Sequence, residues 1–357
     1  MDALHSGRHL LMVGNFLLDG KGSPAVGEGL APRLRDRGWE VEITSRRSNR
    51  VARLLDMLAT VHRLRKWTDV AQVDIFSGAA FQWAEIVTRM LMRHGTPMVL
   101  TLHGGGLPAF ARKHSKRVTR VMQRAAHITA PSPYLQQGLD FLGIPIDVLP
   151  NPVDLGALQF RHRVSIAPTL VWLRAMHAIY NPLMAVDVLA RVRIYHPNAS
   201  LMMVGPDKGD GSLTACKNKA ENLGIGEAVT FVGAVPKSDV PAWLDKGDIF
   251  INTTTVDNTP VSVLEALAQG CCVVSTNVGG MPYLLENGST GLLVPSNDVT
   301  AMSDAILGLL ANPETAAALS KSGSTFASKC DYPLILDHWE ACLSKSQSLS
   351  RTEGKQD

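Results

Sequence analysis

Ile249-Phe250-Ile251-Asn252-Thr253-Thr254-Thr255-Val256-Asp257-Asn258-Thr259-Pro260-Val261-Ser262-Val263-Leu264-Glu265-Ala266-Leu267-Ala268-Gln269-Gly270 is the stretch on which the fold turns. Its first four residues read as a buried strand that opens into a polar loop. Val261–Gln269 then reads as a helix, with Pro260 suited to the first helical position and Asn258 or Thr259 to the N-cap. Gly270 suits the C-terminal cap. The free N–H groups at the start of such a helix, among them those of Val261 and Ser262, face a loop at the carboxyl end of a strand. That place favours an anionic group such as a diphosphate. The next strand, Cys272–Thr276, opens into Asn277-Val278-Gly279-Gly280, where two glycines let the backbone approach a ligand closely. Asp257 and Glu265 stand eight apart on either side of the helix start. Apolar neighbours on both sides of Glu265 predict a partly buried carboxylate that needs a partner. Ribose hydroxyls would supply one; a capped helix with one satisfied core Glu is the plainer alternative.

Outward from this stretch, short apolar runs alternate with amphipathic segments, the pattern of parallel strands joined by crossover helices. Strands are expected at His9–Val13, Glu40–Thr44, Val73–Phe76, Met98–Leu102, His127–Ala130 and Asp147–Leu149. A helix from Val26 to Arg37 stops at Gly38. Pro150-Asn151-Pro152 reads as a linker. The alternation restarts at Thr169–Leu173, Ser200–Val204, Val229–Val232, Ile249–Asn252, Cys272–Thr276 and Leu292–Val294. At 357 residues the chain suits two α/β domains rather than one. The expected division is 1–151 and 152–330, with an amphipathic helix at 331–345 returning to complete the first domain and a disordered tail at 346–357.

The order of these features resembles the family four retaining glycosyltransferases. Asp257-Asn258-Thr259-Pro260 through Glu265-Ala266, then Gly270, Val273-Val274-Ser275-Thr276 and Val278-Gly279-Gly280, is similar to that family's donor-binding signature. Ala130-Pro131-Ser132, Leu149-Pro150-Asn151-Pro152-Val153-Asp154 and Val204-Gly205 fall in family order. The resemblance implies an α/β chain with the GT-B fold, two Rossmann-like doubly wound domains facing across a cleft, the second holding a nucleotide-sugar donor. It places Glu265 on the donor ribose and Asp257, where the family has a glutamate, on a hydroxyl of the donor sugar. The helix start at Asn258–Ser262, the glycines Gly279 and Gly280, and Arg174 would hold the diphosphate. The family also places a lysine about five residues beyond that arginine. Ala178-Ile179-Tyr180-Asn181 holds none, leaving His177 or Asn181 as weak substitutes.

In the first half, Thr101-Leu102-His103-Gly104-Gly105-Gly106 follows a strand, and His103 matches the family histidine beside the reacting sugar. Gly104 and Gly105 leave room for the substrate. An oxyanion-hole reading of these glycines requires a G-x-S-x-G elbow, which the chain lacks. Gly20-Lys21-Gly22-Ser23-Pro24 resembles the family's glycine loop, with Gly20 and Gly22 toward the substrates. It does not match G-x-G-x-x-G, which argues against a nicotinamide cofactor. The chain holds no D-x-D pair, so no metal is expected on the diphosphate of a UDP- or GDP-sugar. His103, Asp257 and Glu265 are thus the candidate catalytic residues for transfer of a hexose to a glycan, lipid-linked or small-molecule acceptor. A nucleotide-sugar epimerase of the same fold and a non-catalytic donor-binding homologue are the alternatives.

Charge is divided unevenly. Residues 1–150 hold 20 Lys and Arg against 12 Asp and Glu, leaving 15 against 20 in the rest, or +8 and −5 within a net charge of +3. The excess gathers in Arg46, Arg47, Arg50, Arg53, Arg63, Arg65 and Lys66, then in Arg112, Lys113, Lys116, Arg117, Arg120 and Arg124. Solvated helix faces and a surface for anionic lipid or an anionic acceptor are both open readings. Nucleic acid is disfavoured because no aromatics are interleaved for stacking. Five cysteines without C-x-x-C spacing point to a reducing compartment, and no apolar run reaches the roughly 18 residues of a membrane span. The expected location is cytoplasmic, with peripheral contact at the inner face of the membrane.

Overall fold

In the computed structural model of the chain, residues 8–16 and 26–353 are described, with side chains to residue 348. They divide into two compact units, one of residues 8–16, 26–150 and 333–353, the other of 151–332. The first carries a six-stranded parallel sheet of β1 (His9–Val13), β2 (Glu40–Thr44), β3 (Val70–Ile75), β4 (Met98–Leu102), β5 (His127–Ala130) and β6 (Asp147–Val148), in the order β2-β1-β3-β4-β5-β6. Every residue of β3 and β4 is buried, as a parallel sheet covered on both faces requires. β3 begins three residues earlier than its apolar run suggests. Gln72 interrupts that run, yet its amide donates to Asp74 Oδ1 at 2.8 Å and to Thr101 Oγ1 at 2.9 Å, so it is satisfied inside the sheet.

The helices Arg50–Arg63, Ala80–Arg93, Leu107–Lys113, Ser115–Met122 and Pro133–Leu139 share one core with this sheet, built from residues such as Met57, Phe81, Val87, Val118 and Leu135. The C-terminal helix Tyr332–Glu353 runs past Lys345, so residues 346–353 are helical where the sequence suggested disorder. Leu343 and Ser346 are fully buried on its inner face, and no glycine or proline follows Pro333 within it. Its Glu340 accepts Trp39 Nε1–H at 3.0 Å and pairs with Arg37 at 2.9 Å, while Trp339 is buried beside it in the chain.

The second unit carries β7 (Thr169–Leu173), β8 (Ser200–Val204), β9 (Val229–Gly233), β10 (Ile249–Asn252), β11 (Cys272–Thr276) and β12 (Leu292–Val294), all parallel, in the order β12-β11-β10-β7-β8-β9. Alternate residues feed two cores. Leu170, Trp172, Ile249 and Ile251 enter one, and Val171 and Phe250 enter the other. Strand order reverses between β7 and β10, and in doubly wound sheets ligands bind outside the carboxyl ends of the strands at that reversal. Just before β7, the buried Arg163 donates to Gly247 O at 3.0 Å and to Gln269 O at the end of the helix Val261–Ala268. A fixed cation thus meets the negative end of the helix whose start faces the reversal.

Candidate functional site

The helix Val261–Ala268 starts one residue later than its sequence suggests. Pro260 has φ −69° but ψ 122°, so it is the last extended residue and acts as N-cap itself, without a side-chain cap. Its carbonyl accepts Val263 N–H at 3.1 Å, and Gly270, at φ +77°, ends the helix in the left-handed region. Asn151 Nδ2 donates to Thr259 O at 2.8 Å and Asp257 Oδ1 accepts Asn258 N–H at 2.9 Å, which fixes the loop before the helix. In the first turn, Ser262 Oγ is buried and has no hydrogen-bond partner among the described residues.

Gly279 and Gly280, expected to let a ligand approach closely, also admit a second stretch of backbone. A Cβ on Gly279 would stand 2.0 Å from Asp257 O, and one on Gly280 would stand 2.1 Å from Asn258 O. The turn after β11 therefore packs backbone to backbone against the Asp257 loop, and Gly280 N–H donates to Asp257 O at 3.2 Å. The glycines hold the carboxylate loop in place.

At the reversal itself, Arg174 follows β7 and pairs with Asp257 from the loop after β10. Burial pushes the guanidinium down to about 10, against the opposing influence of Tyr180, whose ring lies 4.8 Å from it. It still carries its charge at neutral pH. Tyr180 comes from the turn where the family lysine is missing. In that turn His177 Nδ1 accepts Ile179 N–H at 3.1 Å and Asn181 Nδ2 donates to Asn297 Oδ1 at 2.9 Å. His177 is therefore engaged within the turn, and Asn181 ties the turn to Asn297. Asp210 accepts Ala178 N–H at 2.8 Å and Ser212 N–H at 3.0 Å, bonds that hold its carboxyl down at about 2 and anchor the turn.

Glu265 lies one turn into the helix, 6% exposed. Its protein partner is Lys237, a residue the sequence reading does not single out, reaching in from the turn after β9. Burial raises the Glu265 carboxyl above its ordinary value and the Lys237 charge opposes that rise. Lys237 is itself half exposed, 51%. A lone lysine in Pro236-Lys237-Ser238-Asp239 carries no spacing signal, so only the fold reveals the pair.

In the first unit, His103 follows β4, and its Nε2–H donates to Asp74 Oδ1 at 2.9 Å. Phe76 stacks on the imidazole, with ring centroids 4.9 Å apart. Asp74 is buried near the carboxyl end of β3, beside the strand-order reversal between β1 and β3. A Cβ on Gly14 would meet Asp74 Oδ2 at 2.2 Å, so Gly14 is there to admit the carboxylate. Asp74 had a legible signal, an acid inside the apolar run Val73-Asp74-Ile75-Phe76. Gly104, at φ +82°, faces open space, and Gly105 O accepts the Tyr134 hydroxyl at 2.9 Å. Gly20 and Gly22 lie outside the described residues. Among the described residues no group of three His, Cys, Asp or Glu is placed to hold a metal ion.

Charged groups gathered at the reversal of a parallel sheet place the chain in the doubly wound class whose ligands bind at the strand carboxyl ends. Residues 169–326 match the glycosyl transferases group 1 family, and residues 25–157 match glycosyltransferase family 4. The chain belongs to the group 1, family four glycosyltransferases. A GDP-mannose-dependent alpha-(1-6)-phosphatidylinositol monomannoside mannosyltransferase of Mycolicibacterium smegmatis is 29% identical over 198 residues, 54% of this chain and 49% of that protein. A D-inositol 3-phosphate glycosyltransferase of Mycobacteroides abscessus is 31% identical over 195 residues, 53% of this chain and 43% of that protein. The matches thus span less than half the length of these relatives. Sucrose-phosphate synthase of Thermosynechococcus elongatus has a TM-score of 0.78 at 15% identity, covering 98% of this chain and all of that one. Anabaena HepE in complex with UDP-glucose has a TM-score of 0.77 at 18% identity, covering 94% and 99%. Both likenesses establish the GT-B fold of two Rossmann-like units.

Proposed function

We propose that the chain is a retaining glycosyltransferase that moves a hexose from a UDP- or GDP-sugar to a glycan, lipid-linked or small-molecule acceptor in glycoconjugate synthesis, without a metal and in the cytoplasm. The observation that carries this reading is the convergence of Arg174, Asp257, the uncapped helix start and Glu265 at the reversal between β7 and β10. Glu265 takes the ribose hydroxyls in exchange for Lys237. Arg174 and the N–H groups of Val261 and Ser262 take the diphosphate, supplying the positive charge that a metal ion supplies elsewhere. Asp257 releases Arg174 to the phosphates and accepts from a hydroxyl of the donor sugar. As the nucleotide diphosphate departs, these oriented groups meet the charge that develops on it. In the first unit His103, with its tautomer set by Asp74, offers Nδ1 as an acceptor for a substrate hydroxyl. HepE's complex with UDP-glucose and the GDP-mannose dependence of the mycobacterial relative support a donor of this class.

Nucleotide-induced thermal stabilisation, measured with UDP, GDP and ADP in the presence of a chelator, tests the site. A ligand at 100 times its Kd adds about 2.7 kcal/mol to stability. One nucleotide is expected to stabilise the chain without metal, and Glu265→Ala to abolish the effect. Silence with all three nucleotides would sink the donor reading. The absent lysine of Ala178–Asn181 favours a second reading, donor binding without transfer. Stabilisation without any glycosylated product across an acceptor panel separates the two.

A further inference from the structure

We propose that the outer face of the helical layer over the first sheet docks on an anionic lipid bilayer. The four helices Arg50–Arg63, Ala80–Arg93, Leu107–Lys113 and Ser115–Met122 hold ten Lys and Arg against only Asp56 and Glu85. Both acids are engaged, Asp56 with Ser45 Oγ at 2.5 Å and Glu85 with Arg117 at 2.8 Å. The helices pack into one core with the sheet, so their outer residues belong to one surface. Val51 is 69% exposed, Leu55 one turn on is 61%, and Phe141 beyond the last helix is 50%. A groove of about 380 Å³ between the first two helices is lined by Leu58, Ile86, Met90, Arg89, Arg93 and His94. A shallower hollow of about 540 Å³ brings Lys116 and Arg120 beside Phe141 and Leu142.

Exposed aliphatic side chains amid an excess of cations suit a plain solvated face poorly, and they offer a nucleic acid little aromatic surface to stack on. They suit the head-group boundary, where apolar residues enter the acyl region and arginines meet lipid phosphates. Eight of the thirteen basic residues of the two stretches lie on these helices, which ties much of the positive charge of the first half to one layer. The lipid contact does not depend on sugar transfer.

Co-sedimentation of the full chain with vesicles is the test, using phosphatidylcholine alone and phosphatidylcholine mixed with phosphatidylglycerol. The chain is expected to sediment with the mixed vesicles only and to be released at high salt. Arg93→Gln with Arg120→Gln should weaken partition about 30-fold, at ~1 kcal/mol per charge. Leu55→Ser with Ile86→Ser should weaken it while leaving the melting temperature in place. No binding to the mixed vesicles, or unchanged binding by both folded variants, overturns the proposal. So does a dimer in light scattering that Leu55→Ser dissolves, because the face would then pair with a second copy.

Discussion

Glu265 joins two properties that pull against each other, since the buried carboxylate that suits a ribose is costly to the empty protein. Its carboxyl is raised above the ordinary 4.5, so the folded state holds the proton more tightly than the unfolded chain. Ionisation therefore weakens the fold, over a window that opens near 4.5 and closes at the higher folded value. Glu265→Gln leaves Lys237 half in water and is expected to raise stability above that window by about 1 kcal/mol, a common outcome when a functional strain is removed. Urea melts at several pH values check this. The gain should vanish below the window, and nucleotide stabilisation should be lost at every pH. Asp74 acts differently, through His103. Asp74→Asn is expected to lower kcat roughly tenfold, the worth of one hydrogen bond to a charged group, with little change in donor KM. Imidazole ¹⁵N shifts should move away from the Nε2–H tautomer, and Asp74→Glu should restore part of both. Unchanged shifts alongside an inactive His103→Ala variant would remove Asp74 from its positioning role and leave that of His103 intact.

At the scale of elements, β4, β10 and β11, buried at every residue, are legible because a parallel strand covered on both faces writes a mostly apolar run. Where the reading departs from the structure, tertiary contact or backbone geometry decides. Gln72 hides the start of β3, and Pro260, whose φ suits a helix, has a ψ that does not. Gly279 and Gly280 are legible as a close approach, and the sequence does not show that the Asp257 loop is one of the things approached. Gly279→Ala combines a positive φ with a backbone clash and is expected to cost ~3 kcal/mol or more in chemical denaturation. Ser262→Ala should have the opposite effect on the empty protein. Removing a buried hydroxyl without a partner should raise stability by about 1 kcal/mol. The same change should weaken nucleotide binding about tenfold if the diphosphate lies at this turn as proposed. A variant that loses stability and keeps its nucleotide affinity would give Ser262 a purely structural role.

For the whole molecule, the two sheets have separate cores, and every partner of Glu265, Arg174 and Asp257 identified here comes from the second unit. That separation explains why Lys237 is invisible in the sequence: it is 28 residues from Glu265 and joins it only once β9 and β10 are ordered about β7. It also predicts how the chain should melt. Calorimetry is expected to resolve two transitions, because a chain with separate cores need not unfold in one step. Trp339→Ala removes a buried indole from the C-terminal helix of the first unit and should cost about 3–5 kcal/mol there. It should lower one transition and leave the other in place. A nucleotide that binds at Glu265, as proposed, should raise the transition that Trp339→Ala leaves alone, by mass action on the folded second unit. If both perturbations move the same transition, or each moves both, the units unfold as one cooperative body and the C-terminal helix stabilises the whole chain.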